Sequence, residues 1–331
     1  MKKKSASQIP PTPPWKNAIL LAITALVLSM PAAFGAYTNW TDGTGSWFVD
    51  TKWDHNQPDS TTDAFINNGG TALVTDDLAN AVALSLTLGQ YASDSGTVSV
   101  SPPHAGMNVT GTIFVGYRGS GSLIINSPGG VASAGASIAS LTTGAVVSNG
   151  AATVDGANST WTVSGEADVG GTTSGAGGIG LLTVKNGGTV TAASVYVYSS
   201  GTLTGNATVS TTSTSGVAVD GTLKPTGGTL SITGAGSVAL NSSATMLSNV
   251  VPASADNVHI SASGGAFLSG RLAVTMTGTF TPGTTYTLLT ADGGLHNTTF
   301  LSVSITYPPV PTYTPTITYD ANHVYLYLTP N

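Results

Sequence analysis

The chain has 331 residues, 40% of them hydrophobic but only 7% charged, with 42 Gly and no Cys. Typical soluble domains carry about 25% charged residues, and the alternating placement of the apolar ones argues against disorder. Without Cys there is no disulfide framework and no thiolate metal site, and a formal net charge of −6 speaks against nucleic acid as a partner.

The first residues read as an export signal over residues 1–35. Lys2, Lys3, Lys4 and Lys16 give a positive start, Asn17 to Met30 is an apolar stretch short for a membrane span, and Ala33-Phe34-Gly35 fits a small-x-small cleavage site. Cleavage near Ala36 would remove four of the nine basic residues and none of the 15 acidic ones, leaving a net charge of about −10. The expected mature protein is exported, has no membrane span, and does not engage nucleic acid or an anionic membrane.

Residues 36–70 differ in character from the rest of the chain. They hold Trp40, Trp47 and Trp53 together with Asp42, Asp50, Asp54, Asp59 and Asp63. An open solenoid end exposes an apolar core and strand edges, which bulky aromatics and charges can cover, so this segment is expected to be an N-terminal cap. Two further roles are carried by the same residues. Asp50, Asp54, Asp59 and Asp63, with Asn56 and Asn67, could supply hard oxygen ligands for Ca²⁺, although their spacing fits neither an EF-hand nor a G-G-x-G-x-D repeat. Trp40, Trp47 and Trp53 could offer a stacking surface for a glycan.

From residue 71 to 251 short period-2 apolar pairs recur between Gly, Asn and Ser turns. Examples are Leu123/Ile125, Leu182/Val184, Val195/Val197, Val217/Val219 and Leu230/Ile232. The phrases Gly119-Ser-Gly121-Ser-Leu123 and Gly178-Ile-Gly180-Leu-Leu182 repeat loosely, and units of this kind bury their apolar faces only by stacking. No 3.6-residue period appears, so almost no helix is expected. The residues Thr172 to Gly177 are extra relative to the neighbouring repeat and belong in a corner loop. Thr208 to Thr214 is rich in Thr, but the T-x-T register does not look sustained from coil to coil. Residues 252–331 carry Pro282, Pro308, Pro309, Pro311, Pro315 and Pro330, which belong at strand ends, edges or turns. Antiparallel strands closing the stack are expected there, ending in Val324-Tyr-Leu326-Tyr-Leu328.

Val154-Asp-Gly-Ala-Asn-Ser-Thr-Trp161-Thr-Val163, followed by Val169-Gly170 and Gly178-x-Gly180-x-Leu182, resembles the repeat of bacterial autotransporter passenger and adhesin-like β-helix proteins. The Trp47-to-Phe65 segment and the Phe280-to-Gly294 segment are similar to the openings and endings of such exported proteins. The family's outer-membrane barrel and a Pro-Glu-Pro sorting tail are not in this sequence. The resemblance implies an all-β, right-handed parallel β-helix, at the cell surface of a Gram-negative bacterium or outside it, meeting a host or matrix surface.

Catalytic patterns are sparse. After the leader only Lys52, Arg118, Lys185, Lys224 and Arg271 are cationic, too scattered for lyase chemistry on acidic sugars. Glu166 is the only Glu, with Asp155, Asp168 and Asp220 as its nearest solenoid carboxyls, and Asp155 with Asp168 is the pair that stacking could bring together for glycosidic hydrolysis. His55, His104, His259, His296 and His323 lack metal-ligand spacing, and Gly175-x-Gly177-x-x-Gly180 precedes no helix. The expected function is therefore a non-enzymatic surface or matrix protein for adhesion or scaffolding, without cofactor. A carbohydrate-active β-helix is the alternative, and a line of aromatic and carboxylate side chains on one face would favour it.

Overall fold

A computed structural model describes residues 35–75, 79–102, 106–143, 146–308 and 312–331. The expected leader, apart from Gly35, lies outside these residues, as do His104, Pro309 and Pro311. Tyr37–Asn331 form one compact unit. It is a parallel β-solenoid of about nine turns, 61% strand. Among the described residues the sole helical turn is the 3-10 segment Asp50–Lys52. No helix in that set is long and apolar enough to cross a membrane.

Each turn feeds two sheets. One strand enters a 12-stranded sheet, as Ser120–Asn126, Asn149–Asp155 and Ile179–Lys185 do in succession. The chain then crosses to a 17-stranded sheet and contributes a long strand such as Gly130–Ile138 or Thr160–Val169. The register of these long strands slips between Ser133 and Ala136 and between Val163 and Glu166, dividing the larger sheet into a first and a second panel. In later turns the panels become separate strands, such as Thr208–Thr211 and Val217–Val219.

Period 2 in each strand gives one inward and one outward row per sheet. Val98, Leu123, Ala152, Leu182, Leu203 and Leu223 follow one another in register and are all buried, forming one continuous core row. The two phrases of the sequence repeat are thus the same strand two turns apart. Their second glycines, Gly121 and Gly180, flank Gly150 in one row, where the preceding corner's backbone passes so close that a Cβ would meet it at 2.1 to 2.3 Å. Only glycine fits this approach.

The ends correct the expected boundaries. Parallel pairing begins inside the expected cap, where Thr44–Ser46 pairs with Asn68–Val74 and Thr62–Ile66 with Ser85–Leu88. It also runs across position 251 without a break: Thr245–Val251 pairs in parallel with Arg271–Met276, and that strand with Ser302–Thr306. Position 252 falls in a small antiparallel excursion, Val250 and Val251 against Ser254 and Ala255. Among the described residues, apart from such excursions and an isolated bridge between Trp40 and Trp53, antiparallel pairing is confined to His323–Pro330, which lies between Thr285–Ala291 and Tyr313–Tyr319. Pro315 sits on Tyr313–Tyr319, the outer strand of that set, where a missing N–H costs no ladder bond. Asp320 ties the closing turn. The backbone N–H of Asn322 and groups of His323 and Tyr325 hold its carboxyl down at about 2.

Candidate functional site

The three tryptophans lie inside the wall. Trp40, Trp47 and Trp53 are 2%, 0% and 4% exposed. Trp53 meets both others edge-on, with ring centroids 5.0 Å and 4.8 Å apart, and its Nε1 donates to the Trp47 carbonyl at 2.9 Å. Their faces are spent on one another, so a glycan-stacking role for these residues is withdrawn. Nor do the acidic residues of that segment converge. Asp50 accepts from the Gln57 N–H, Asp54 from Asn39, Asp59 from Thr61 and Thr62, and Asp63 from the Ser85 hydroxyl. Among the described residues no three His, Asp or Glu side chains gather as a metal site. Asp155 and Asp168 also part company: the first ends a strand of the smaller sheet, the second lies in the larger one.

A different set does come together, on the outward face of the second panel. Phe114, Ser137, Asp168, Tyr196 and Ala218 occupy one register row in successive turns. Glu166 and Ser194 form the neighbouring row, two residues back along the same strands. Tyr196 and Tyr198 tilt together with centroids 4.3 Å apart. The Tyr196 hydroxyl donates to Asp220, which also accepts from Asn241 Nδ2 at 2.9 Å and Ser243 Oγ at 3.3 Å. Asp220 is thus a saturated anchor. Its contact raises the Tyr196 phenol to about 12.

Asp168 is the unusual group. It is 8% exposed, and its Oδ1 has no hydrogen-bond partner. Burial first, then the charge of Glu166, lift its carboxyl to about 6, while the Tyr198 hydroxyl pulls it partly back. Burial and Asp168 in turn push the Tyr198 phenol up. The corner loop beside this cluster is a small hairpin, Gly171 and Thr172 against Gly175 and Ala176. Tyr198 packs so closely on Gly171 that a Cβ there would meet its ring at 2.7 Å, and Ser137 Oγ donates to the Gly171 carbonyl at 3.0 Å. The expected corner loop is present and walls one side of the cluster.

Sequence reasoning passed over this row, although its signal was available. Ala167-Asp168-Val169, Val195-Tyr196-Val197 and Val217-Ala218-Val219 are apolar-x-apolar triplets, and aligning them places the middle residues in one row. The first panel carries a looser pattern. Thr160/Thr162, Thr189/Thr191, Thr208/Ser210 and Ser231/Thr233 stand in register over four consecutive turns, so a row of Thr and Ser hydroxyls runs there although T-x-T itself holds for only the first two turns. Insertions of different length between turns had hidden the alignment.

Comparison with protein-family models and with curated proteins finds no match.

Proposed function

We propose that the protein is an exported, non-catalytic β-helix that contacts glycans through the second-panel cluster, serving as a surface or matrix scaffold. The observation that carries this reading is the half-buried Tyr196 ring on an outward face beside Glu166 and Asp220, with the buried Asp168 and Tyr198 packed next to it. A sugar offers an apolar C–H face and a rim of hydroxyls. Tyrosine matches it with a flat apolar ring and a polar tip, and ionised carboxylates accept from the hydroxyls. Export is supported by the composition of residues 1–35, and the scaffold role by a stacked sheet that needs neither cofactor nor disulfide.

A glycan array probed with the mature chain tests the reading. Tyr196→Ala should lose the captured glycans but keep the fold, because Asp220 retains Asn241 and Ser243 as donors. Capture by Tyr196→Ala equal to wild type, or no glycan captured by either, would refute it.

A further inference from the structure

On the opposite sheet lies a groove of about 440 Å³ whose lining includes Leu181, Thr183, Lys185, Asn186, Thr204 and Lys224. It crosses three consecutive strands, Ile179–Lys185, Gly201–Gly205 and Thr222–Pro225, and Thr204 stands in register between Thr183 and Lys224. Its size falls within the roughly 300–1,000 Å³ of small-ligand sites.

The groove is cationic in an otherwise acidic molecule. Beyond the leader the chain has only five basic residues, and two of them line this one cavity. Of the others, Lys52 pairs with Asp42, and the Arg118 guanidinium lies over the Tyr117 ring. Within the groove the two lysines differ. Lys185 pairs with Asp155 at 3.1 Å, and Asn186 Nδ2 donates to the other oxygen of that carboxylate at 2.7 Å. The Asn186 bond, helped by Lys185, keeps the Asp155 carboxyl below its usual range. Lys224 has no ion pair among the described residues. It is a half-buried residue that shares the groove lining with Thr183, Thr204, Thr226, Asn186 and Asn206.

We infer that this groove binds a linear acidic polysaccharide, whose carboxylates pair with Lys224 and Lys185 and whose hydroxyls bond to the Thr and Asn lining. The two lysines sit two strands apart and two residues out of register, about 12 Å between backbones, which suits charges repeated along a chain better than one compact anion. The groove has no aromatic ring and no Arg, the groups that stack bases in single-strand nucleic-acid sites, so a polysaccharide fits better than a nucleic acid. Leu181, 37% exposed, supplies an apolar patch for a sugar ring.

Calorimetry on the mature chain tests this, using oligogalacturonate as the acidic probe and the corresponding neutral galactan oligomer as the control. The acidic probe should bind more tightly, with affinity falling as salt rises. Lys224→Gln should weaken it by about tenfold, since a charged hydrogen bond is lost, whereas Lys224→Arg should retain it. Tyr196→Ala should leave this binding intact, which separates the groove from the second-panel cluster. Equal affinity for both probes, unchanged affinity in a Lys185→Gln/Lys224→Gln double variant, or tighter binding of poly-glutamate than of oligogalacturonate would overturn the inference.

Discussion

Two groups of aromatic side chains stand on opposite sides of the solenoid wall. Trp40, Trp47 and Trp53 pack edge to face inside it, next to the first core residues. Tyr196 is on the outer face of the wall, half-buried, with Tyr198 beside it against Gly171, and both phenols reach carboxylates. Residue type alone does not separate these roles, because both groups combine aromatic rings with nearby Asp. What separates them is the side of the strand. An inward ring contributes burial to the stack, while an outward one keeps a partly free face beside polar groups.

The largest test of that contrast is truncation on each side. Trp47→Ala should cost about 3–5 kcal/mol by emptying a fully buried site. Tyr196→Ala, removing an outward ring, should cost about 1 kcal/mol or less. Chemical denaturation of both variants measures the difference. Similar losses would mean that Tyr196 is a structural member of the wall, and the contrast would fail.

The second test concerns charge. The folded state raises the Asp168 carboxyl from 3.8 to about 6, so it holds a proton more tightly than the unfolded chain. The resulting stability is complete below pH 3.8 and is lost as pH rises through about 6. Glu166, Tyr196 and Tyr198 are the titratable groups beside it; the Glu166 charge adds to the effect of burial, and the Tyr198 hydroxyl opposes it. Relative to Asp168→Asn, wild type should lose up to about 3 kcal/mol between acid and mildly alkaline pH. Parallel stability curves for the two proteins would show that Asp168 is better solvated than its burial implies.

The stacked fold was legible because each strand repeats the same rule: apolar inward, polar outward, glycine where backbones cross. Leu123, Leu182 and Leu230 needed no tertiary knowledge to be read as core. The boundary at 251 was not legible, because Pro252 and the turn around it mark an excursion from the stack just as they would mark its end. The cluster was harder still. Asp168, Tyr196 and Asp220 are far apart in sequence, and their meeting depends on turns of unequal length, from Thr202 to Thr222 in one case and from Asn149 to Ile179 in another. Asp155 with Asp168 was a fair pairing by sequence distance, yet their strands enter different sheets.

The corner beneath the cluster offers a smaller test. Gly89, Gly116, Ala139 and Gly170 close successive turns, and all have positive φ, Ala139 at 60°. Only Ala139 carries a Cβ in that conformation, which costs about 1–2 kcal/mol in an L-residue. Ala139→Gly should therefore stabilise the protein by about 1 kcal/mol or slightly less, since the added freedom of the unfolded chain offsets part of the relief. A lower melting temperature for the variant would mean that burial of the Ala139 methyl outweighs the strain.

The smallest effect is expected on the first panel, and it sharpens the comparison by removing aromatics altogether. Thr191 stands in the outward hydroxyl row between Thr162 and Ser210. Replacing its hydroxyl with a methyl in Thr191→Val keeps the β-branched shape that suits a strand. Stability should stay within about 0.5 kcal/mol, as for a surface change that breaks no special feature. Glycan capture through Tyr196 should also be unchanged. A loss above about 1 kcal/mol would show instead that the row is held together by its hydroxyls, as cross-strand Thr pairs can be. The first panel would then be part of the solenoid's stability, and on the larger sheet the second panel alone would remain free for recognition.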